Sequence, residues 1–264
     1  TQPEIGRSLL QHPPRRTVKL LATPGHFQAL AGVRAYAFQM IYPHRSEVTG
    51  SDAKARAGEA HFFIGLDISS RHNTIAAFYK GNFFDQYGTD GEIKLQRIFA
   101  DYSRQLEDWT GQILGTGPLA GELEYQSGIV PQHGRDWRSL LPDLAAFDSE
   151  LITLSGRPAI TLATTGDPRN AVNSPADTFQ QLEPYLQNVR NQAMVCAYVV
   201  KRTADIPVIP LKDDIELHKV GSLFGRAIEQ TLTTYVPTVN VPDVVVGMNL
   251  SKTKSMMGVK GRAF

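Results

Sequence analysis

The sequence predicts an α+β fold: several long amphipathic helices, a small antiparallel sheet built on a β-hairpin near 61–80, and extended basic N- and C-terminal arms. Three observations carry this reading. Apolar residues recur at steps of three and four in two stretches, His26 to Tyr42 and Glu92 to Leu114. Two β-rich runs, His61 to Ser69 and Thr74 to Lys80, are separated only by Ser70-Arg71-His72-Asn73, a spacing that fits a hairpin. Both ends lack acids. From Ile5 to Arg45 there is no Asp or Glu, while Arg7, Arg15, Arg16, Lys19, Arg34 and Arg45 supply positive charge. After Asp243 there is again no acid, and Lys252, Lys254, Lys260 and Arg262 follow.

Taken in order, Thr1 to Arg16 reads as irregular, because Pro13-Pro14 enforces an extended path. Thr17 to Leu21 alternates like a short strand and is broken by Pro24-Gly25. Phe27, Leu30, Val33, Tyr36, Ala37 and Met40 define the first helix, which Pro43 ends. The hairpin follows, then the turn-rich segment Gly81 to Gly91. Ile93, Ile98, Tyr102, Leu106, Trp109 and Ile113 line the second helix, capped by Thr89 or Asp90 and stopped by Gly115, Gly117, Pro118 and Gly121. Glu122 to Gly134 reads as loop with one short strand. A helix is expected over Asp136 to Thr153, started early or kinked at Pro142, and a strand over Ala159 to Thr164. Ser174-Pro175 has the form of a helix entry. That helix is expected to reach Arg202 despite Pro184. Asp213 or Asp214 opens another, to about Thr234, before the β-branched run Val244 to Val246.

At 264 residues the chain is expected to form a single domain over 25–243, with a basic arm at 1–24 and another at 244–264. The formal charge of +1 conceals an uneven distribution. Of 27 cations, 6 + 4 = 10 lie in the two ends, so the rest carries 27 − 10 = 17 against 26 acids, a net of −9. Cys196 is the only cysteine, which excludes an intrachain disulfide and points to a reducing, intracellular and cytoplasmic location. No apolar run approaches the ~18 residues of a membrane span. The chain begins Thr1-Gln2-Pro3-Glu4, without an initiator Met or a charged head before an apolar core, so a processed chain or a fragment is expected.

The basic ends are the leading functional signal. Lys and Arg near a polyanion displace condensed counterions, a source of affinity that needs no sequence recognition. Arg15, Arg16 and Lys19 at one end, and Lys252, Lys254, Lys260 and Arg262 at the other, are therefore the candidate contacts to nucleic acid or to protein subunits, copies of the chain included. Ser251, Thr253 and Ser255 add hydroxyls that reach phosphate oxygens. Trp137, set among Arg135, Asp136 and Arg138, reads as partly exposed and as a candidate interface anchor. Phe78, Tyr79, Phe83, Phe84 and Tyr87, with Lys80 among them, have the composition of a base-stacking platform, although strand aromatics are more often core.

Catalytic signals are weaker. Asp67 sits in the apolar run Phe62 to Ser69, as strand-borne carboxylates do in two-metal nucleases, with Glu122, Glu124, Asp167, Asp213 and Asp214 as later acids. The seven histidines form no four-residue helical pair and meet no second cysteine, so no metal is expected; no cofactor is expected either. Ser155 lacks the preceding glycine of a nucleophile elbow, and the glycines of 111–121 are not followed by Lys-Ser or Lys-Thr. The reading is a non-enzymatic subunit of a multi-subunit or nucleoprotein assembly. The alternative is a metal-dependent nuclease or phosphoryl-transfer enzyme centred on Asp67.

Overall fold

A computed structural model describes residues 2–24, 30–40, 61–81, 88–130, 137–141, 146–154, 157–168 and 178–211. The chain groups into two compact units, Thr1–Leu21, Ile64–Glu150 and Ala159–Asp214 in the first, and Ala22–Phe63, Leu151–Pro158 and Ile215–Phe264 in the second.

The first unit is built on a mixed sheet of four strands: β1 (Phe63–Asp67), β2 (Thr74–Phe78), β3 (Glu124–Ser127) and β4 (Ala159–Thr164). The spatial order is β1-β4-β2-β3. β2 runs parallel to β3, with Ile75 opposite Tyr125, and antiparallel to β4, with Ile75 opposite Thr164. The expected hairpin over 61–80 is therefore corrected: β1 and β2 are consecutive in the chain but β4 lies between them. β4 explains why. All six of its residues, Ala159 to Thr164, are buried, so this strand is stabilised most at the centre of the sheet. The link between β1 and β2 spans the inserted strand and is held there by side chains of a helix, as described next.

The helices are α1 (Gln2–Gln11), α2 (Ala31–Met40), α3 (Gly88–Gly115), α4 (Asp148–Leu154), α5 (Phe179–Leu182) and α6 (Leu186–Asp205). Among the described residues only α3, with 28 residues, and α6, with 20, are long. α3 buries Leu95, Ile98, Phe99, Tyr102, Leu106, Trp109 and Ile113, one continuous stripe. α6 buries Ala193, Val195, Cys196 and Val199. The two pack through Tyr102, whose hydroxyl lies 2.6 Å from Thr203 Oγ1. Gln192 of α6 ties down the β1–β2 link. Its Nε2 donates to Ser69 O at 3.0 Å and to His72 O at 2.9 Å, while its Oε1 accepts from the Thr164 hydroxyl. Thr164 Oγ1 also accepts from Ser69 N at 2.7 Å, and Asn188 Nδ2 donates to Ser70 O at 2.9 Å. The opposite sheet face is mainly apolar: Ala76, Phe78 and Ala163 pack with Trp137, Leu141 and Phe147, and Thr161 on the same face shares a buried hydrogen bond with Ser149.

Three helical expectations are corrected. Residues 2–11, read as irregular, form α1, and Thr17 to Leu21 forms no strand. The helix expected over 136–153 is reduced to a 3-10 turn at Trp137–Leu140 and the short α4. Pro142 has no N–H to donate and disfavours helical backbone at the residue before it. The helix restarts where Glu150 Oε2 accepts from Phe147 N at 2.9 Å. The helix expected to end at Arg202 is divided into α5, a 3-10 turn at Glu183–Tyr185 and α6, with the break at Pro184. The helix expected over 213–234 and the C-terminal run lie outside the described residues.

In the second unit, α2 buries Val33, Ala35 and Ala37, preceded by the buried Leu30. Tyr36 meets Phe63 edge-on with centroids 5.7 Å apart. Among the described residues of the whole chain, no helix is long and apolar enough to cross a membrane.

Candidate basic surface at the end of α6

A helix ends with carbonyls that no further turn can bond, and the aligned peptide dipoles make that end partly negative. At the end of α6 the N-terminal segment supplies the missing donors. Arg16 N donates to Ala204 O at 3.0 Å. The Arg16 guanidinium donates through Nη1 to Thr203 O at 3.1 Å and to Ile206 O at 2.5 Å, and through Nη2 to Pro207 O at 2.6 Å. Arg15 N donates to Asp205 Oδ1 at 3.1 Å, and Lys201 Nζ sits 2.6 Å from Asp205 Oδ2. Arg202 lies over the rings of Trp109 at 5.5 Å and Tyr198 at 5.8 Å. Arg15 and Arg16 of the N-terminal segment thus meet Lys201 and Arg202 at one helix end, where Asp205 accepts from Lys201 and from the Arg15 backbone N–H. The Lys201 hydrogen bond holds the Asp205 carboxyl below its ordinary range. The Arg15 N–H and the charges of Lys201 and Arg202 add to this, and slight burial opposes it.

The predicted contacts divide on this geometry. The Arg15 side chain is exposed, and so is Lys19. Arg16 is committed to three carbonyls of its own chain and acts as a helix cap. The N-terminal basic stretch is accordingly docked on α6 and does not extend as an arm. Lys252, Lys254, Lys260 and Arg262 lie outside the described residues. Arg34 is half-buried in α2, its Nε without an acceptor, and burial lowers its guanidinium from the ordinary arginine value.

Two further expectations are corrected. Trp137 is only 5% exposed; it packs edge-on against Phe78 at 6.2 Å, with the Arg138 guanidinium 4.7 Å above its ring. The neighbouring charges cover the indole instead of drawing it into solvent. Phe78, Tyr79 and Lys80 are buried, and Tyr79 stacks on Phe99 at 6.1 Å, so this part of the aromatic cluster is core and offers no face to a base. Phe83, Phe84 and Tyr87 lie outside the described residues.

Asp67 is half-buried at the end of β1, and Asp167 is buried three residues beyond the end of the adjacent β4. Glu122 and Glu124 are exposed beside and on β3. Among the described residues, no three His, Cys, Asp or Glu side chains are arranged to hold a metal ion. Cys196 is buried, and its thiol is pushed up to about 12 by loss of hydration.

Sequence reasoning missed Lys201, Arg202 and Asp205. Their signal was legible in part. Lys201 and Asp205 are four residues apart, and two cations stand in the final turn of a helix, where they complement the dipole. The chain was compared with protein-family models, with curated proteins and with solved structures, and it matches none of them.

Proposed function

We propose that this protein is a non-enzymatic subunit of a multi-subunit or nucleoprotein assembly. It engages nucleic acid or neighbouring subunits through the cationic surface at the end of α6 and through Lys252, Lys254, Lys260 and Arg262. The observation that supports this is the meeting of Arg15, Arg16, Lys201 and Arg202 at the end of α6, where Asp205 accepts from Lys201 and from the Arg15 backbone N–H while the Arg16 guanidinium holds helix-end carbonyls. An excess of positive charge fixed on a rigid helix end attracts polyanions without the ordering cost of a loose tail.

The test is binding to single- and double-stranded nucleic acid across a salt series, for the full chain and for a variant lacking residues 250–264. Affinity is expected to fall steeply with salt, and both the truncation and Arg15→Glu should flatten the dependence. A monomer that binds neither form at low salt would remove the reading. A second reading, the metal-dependent nuclease, draws support from Asp67 standing at the end of β1 and Asp167 just beyond the end of the adjacent β4. It requires Mg²⁺- or Mn²⁺-dependent cleavage that disappears in Asp67→Ala.

A further inference from the structure

The first unit carries opposite charge at two separated places. At the end of α6 are Arg15, Arg16, Lys201 and Arg202 around Asp205. Arg7, exposed on α1, belongs to the same region, because α1 packs on α6. At the other place, Glu122 and Glu124 flank the start of β3 and are exposed. Glu107 of α3 is close by: its charge helps drive the Tyr125 hydroxyl above the ordinary tyrosine value, after burial. No cation pairs with Glu107, Glu122 or Glu124 among the described residues; Glu124 accepts only from Gln126, and Glu107 only from Ser103.

α6 measures the separation. Asn191 Nδ2 reaches Glu122 O at 3.5 Å, while Asp205 marks the basic end. At about 1.5 Å per residue the run from 191 to 205 spans about 20 Å. That exceeds the screening length of about 8 Å at physiological salt, so the two regions do not neutralise each other within one molecule.

Exposed aliphatic side chains accompany the basic region. Leu10 is 85% and Val208 76% exposed, and Leu20 is 50% exposed. Leu20 lies across α1 where Gly6 has no side chain; a Cβ there would stand 3.2 Å from Leu20 Cδ1. Leu10 is one turn further along, on the same helix face as Gly6. Val208 follows Pro207, whose carbonyl holds Arg16. Cations flanking an apolar strip form the pattern of a protein interface, with an apolar centre and a charged rim. Aliphatic chains add nothing to phosphate contacts.

From this we propose that the chain associates with itself head to tail: the Leu10–Leu20–Val208 strip and its cations dock on the β3 edge of a second copy, where Glu107, Glu122 and Glu124 supply the opposite charge. Such a contact uses different patches on the two partners, so it generates a ring or a filament and not a closed two-fold dimer. The inference rests on the assembly part of the proposed function and names the neighbouring subunit as a second copy.

Sedimentation velocity of the full chain at low and high salt tests it, using four samples whose fold is verified by circular dichroism. Wild type is expected to form species larger than a dimer at low salt that dissociate at high salt. Arg7→Glu with Arg15→Glu, and separately Glu122→Lys with Glu124→Lys, should each weaken association by at least about tenfold. Mixing the two variants should restore it, because one then carries two acidic patches and the other two basic ones. Leu10→Ser should weaken association without changing its salt dependence. A wild type that stays monomeric at low salt, or folded charge variants that fail to reassemble on mixing, would overturn the head-to-tail contact. A monomer that still binds nucleic acid would overturn it while leaving the proposed function standing.

Discussion

The two faces of the central sheet are held by different kinds of contact. On the face carrying Ile75, Tyr125 and Thr164, side-chain hydrogen bonds run to the long helices: Thr164 to Gln192, Ser127 to Ser103 at 2.9 Å, and onward from Tyr102 to Thr203. On the face carrying Ala76, Phe78 and Ala163, the cover is mainly aromatic and aliphatic, with Phe78 stacked on Phe147 at 5.4 Å and edge-on to Trp137, and the Thr161–Ser149 bond is the polar contact there. Apolar burial supplies most of the free energy of a fold but specifies geometry loosely. Directional bonds contribute less each, yet they fix which residues meet and are costly to leave half made. The aromatic face therefore sets how stable this unit is. The polar face sets where the β1–β2 link lies, and so how β4 comes to stand between those strands.

The largest effects are expected on the aromatic face. Phe78→Ala should cost about 3–5 kcal/mol in urea unfolding, because Phe78 is fully buried and touches two rings. A cost below about 1 kcal/mol would mean that this face is not the stabilising one. Gly128→Ala probes the same ring from the other side. A Cβ there would stand 2.4 Å from Phe78 Cδ1 and 2.7 Å from Ala77 O, so something must shift, at about 1–3 kcal/mol.

The polar face gives the next largest effect and a different pattern. Gln192→Leu nearly keeps the volume but removes the Gln192 donor from His72 O and Ser69 O and the Gln192 acceptor from the Thr164 hydroxyl. The expected cost is about 2–3 kcal/mol. Hydrogen exchange distinguishes the two faces: Gln192→Leu should lose protection first around residues 68–73, whereas Phe78→Ala should lower it across the sheet. Uniform loss in both variants would erase the distinction.

A pH effect of intermediate size comes from Cys196, buried on α6. Its thiol is pushed up to about 12 in the fold, from 9.0. A raised acid pKa means that the unfolded state gives up its proton first. The contribution is complete below about pH 9 and declines as pH climbs towards 12, by about 1.4 kcal/mol per unit. Burial raises the Tyr102 and Tyr125 hydroxyls too, which steepens the same limb. Cys196→Ala should show a shallower loss of stability between pH 9 and 10.5 than wild type, and an equal slope would contradict the burial of the thiol.

What was legible beforehand follows the range of the contacts involved. The α3 stripe and the buried run Ala159 to Thr164 are periodic or uniformly apolar within a few residues, and both could be read from the chain. The placement of β4 between β1 and β2 depends on Gln192 meeting carbonyls more than a hundred residues earlier in sequence, and no local pattern encodes that. The same holds for the basic surface. Arg15 and Arg16 stood out as cations, but their role was set by α6 carbonyls about 190 residues away, which turned Arg16 into a cap and left Arg15 outermost. Trp137 is buried despite its charged sequence neighbours because Arg138 and Lys80 lie against the ring, a contact that no local pattern encodes.

The smallest expected effect is the most discriminating about how the polar face works. Thr203 Oγ1 donates to Val199 O at 2.8 Å, so in the 2.6 Å contact with Tyr102 the phenol must be the donor. Tyr102→Phe removes that donor and leaves Thr203 still bonded to its own helix, with the ring still edge-on to Trp109 at 6.2 Å. The loss should stay near 0.5–1 kcal/mol, about the net value of one hydrogen bond. Thr203→Val is the reverse experiment. It takes the Thr203 acceptor from the buried Tyr102 hydroxyl, and it should cost more, about 1–3 kcal/mol, although it deletes the same bond. Chemical denaturation of both variants measures the asymmetry. If Tyr102→Phe proves the more damaging, the hydroxyl has a second role at the α3–α6 contact, and the polar face contributes stability on the scale of the aromatic one.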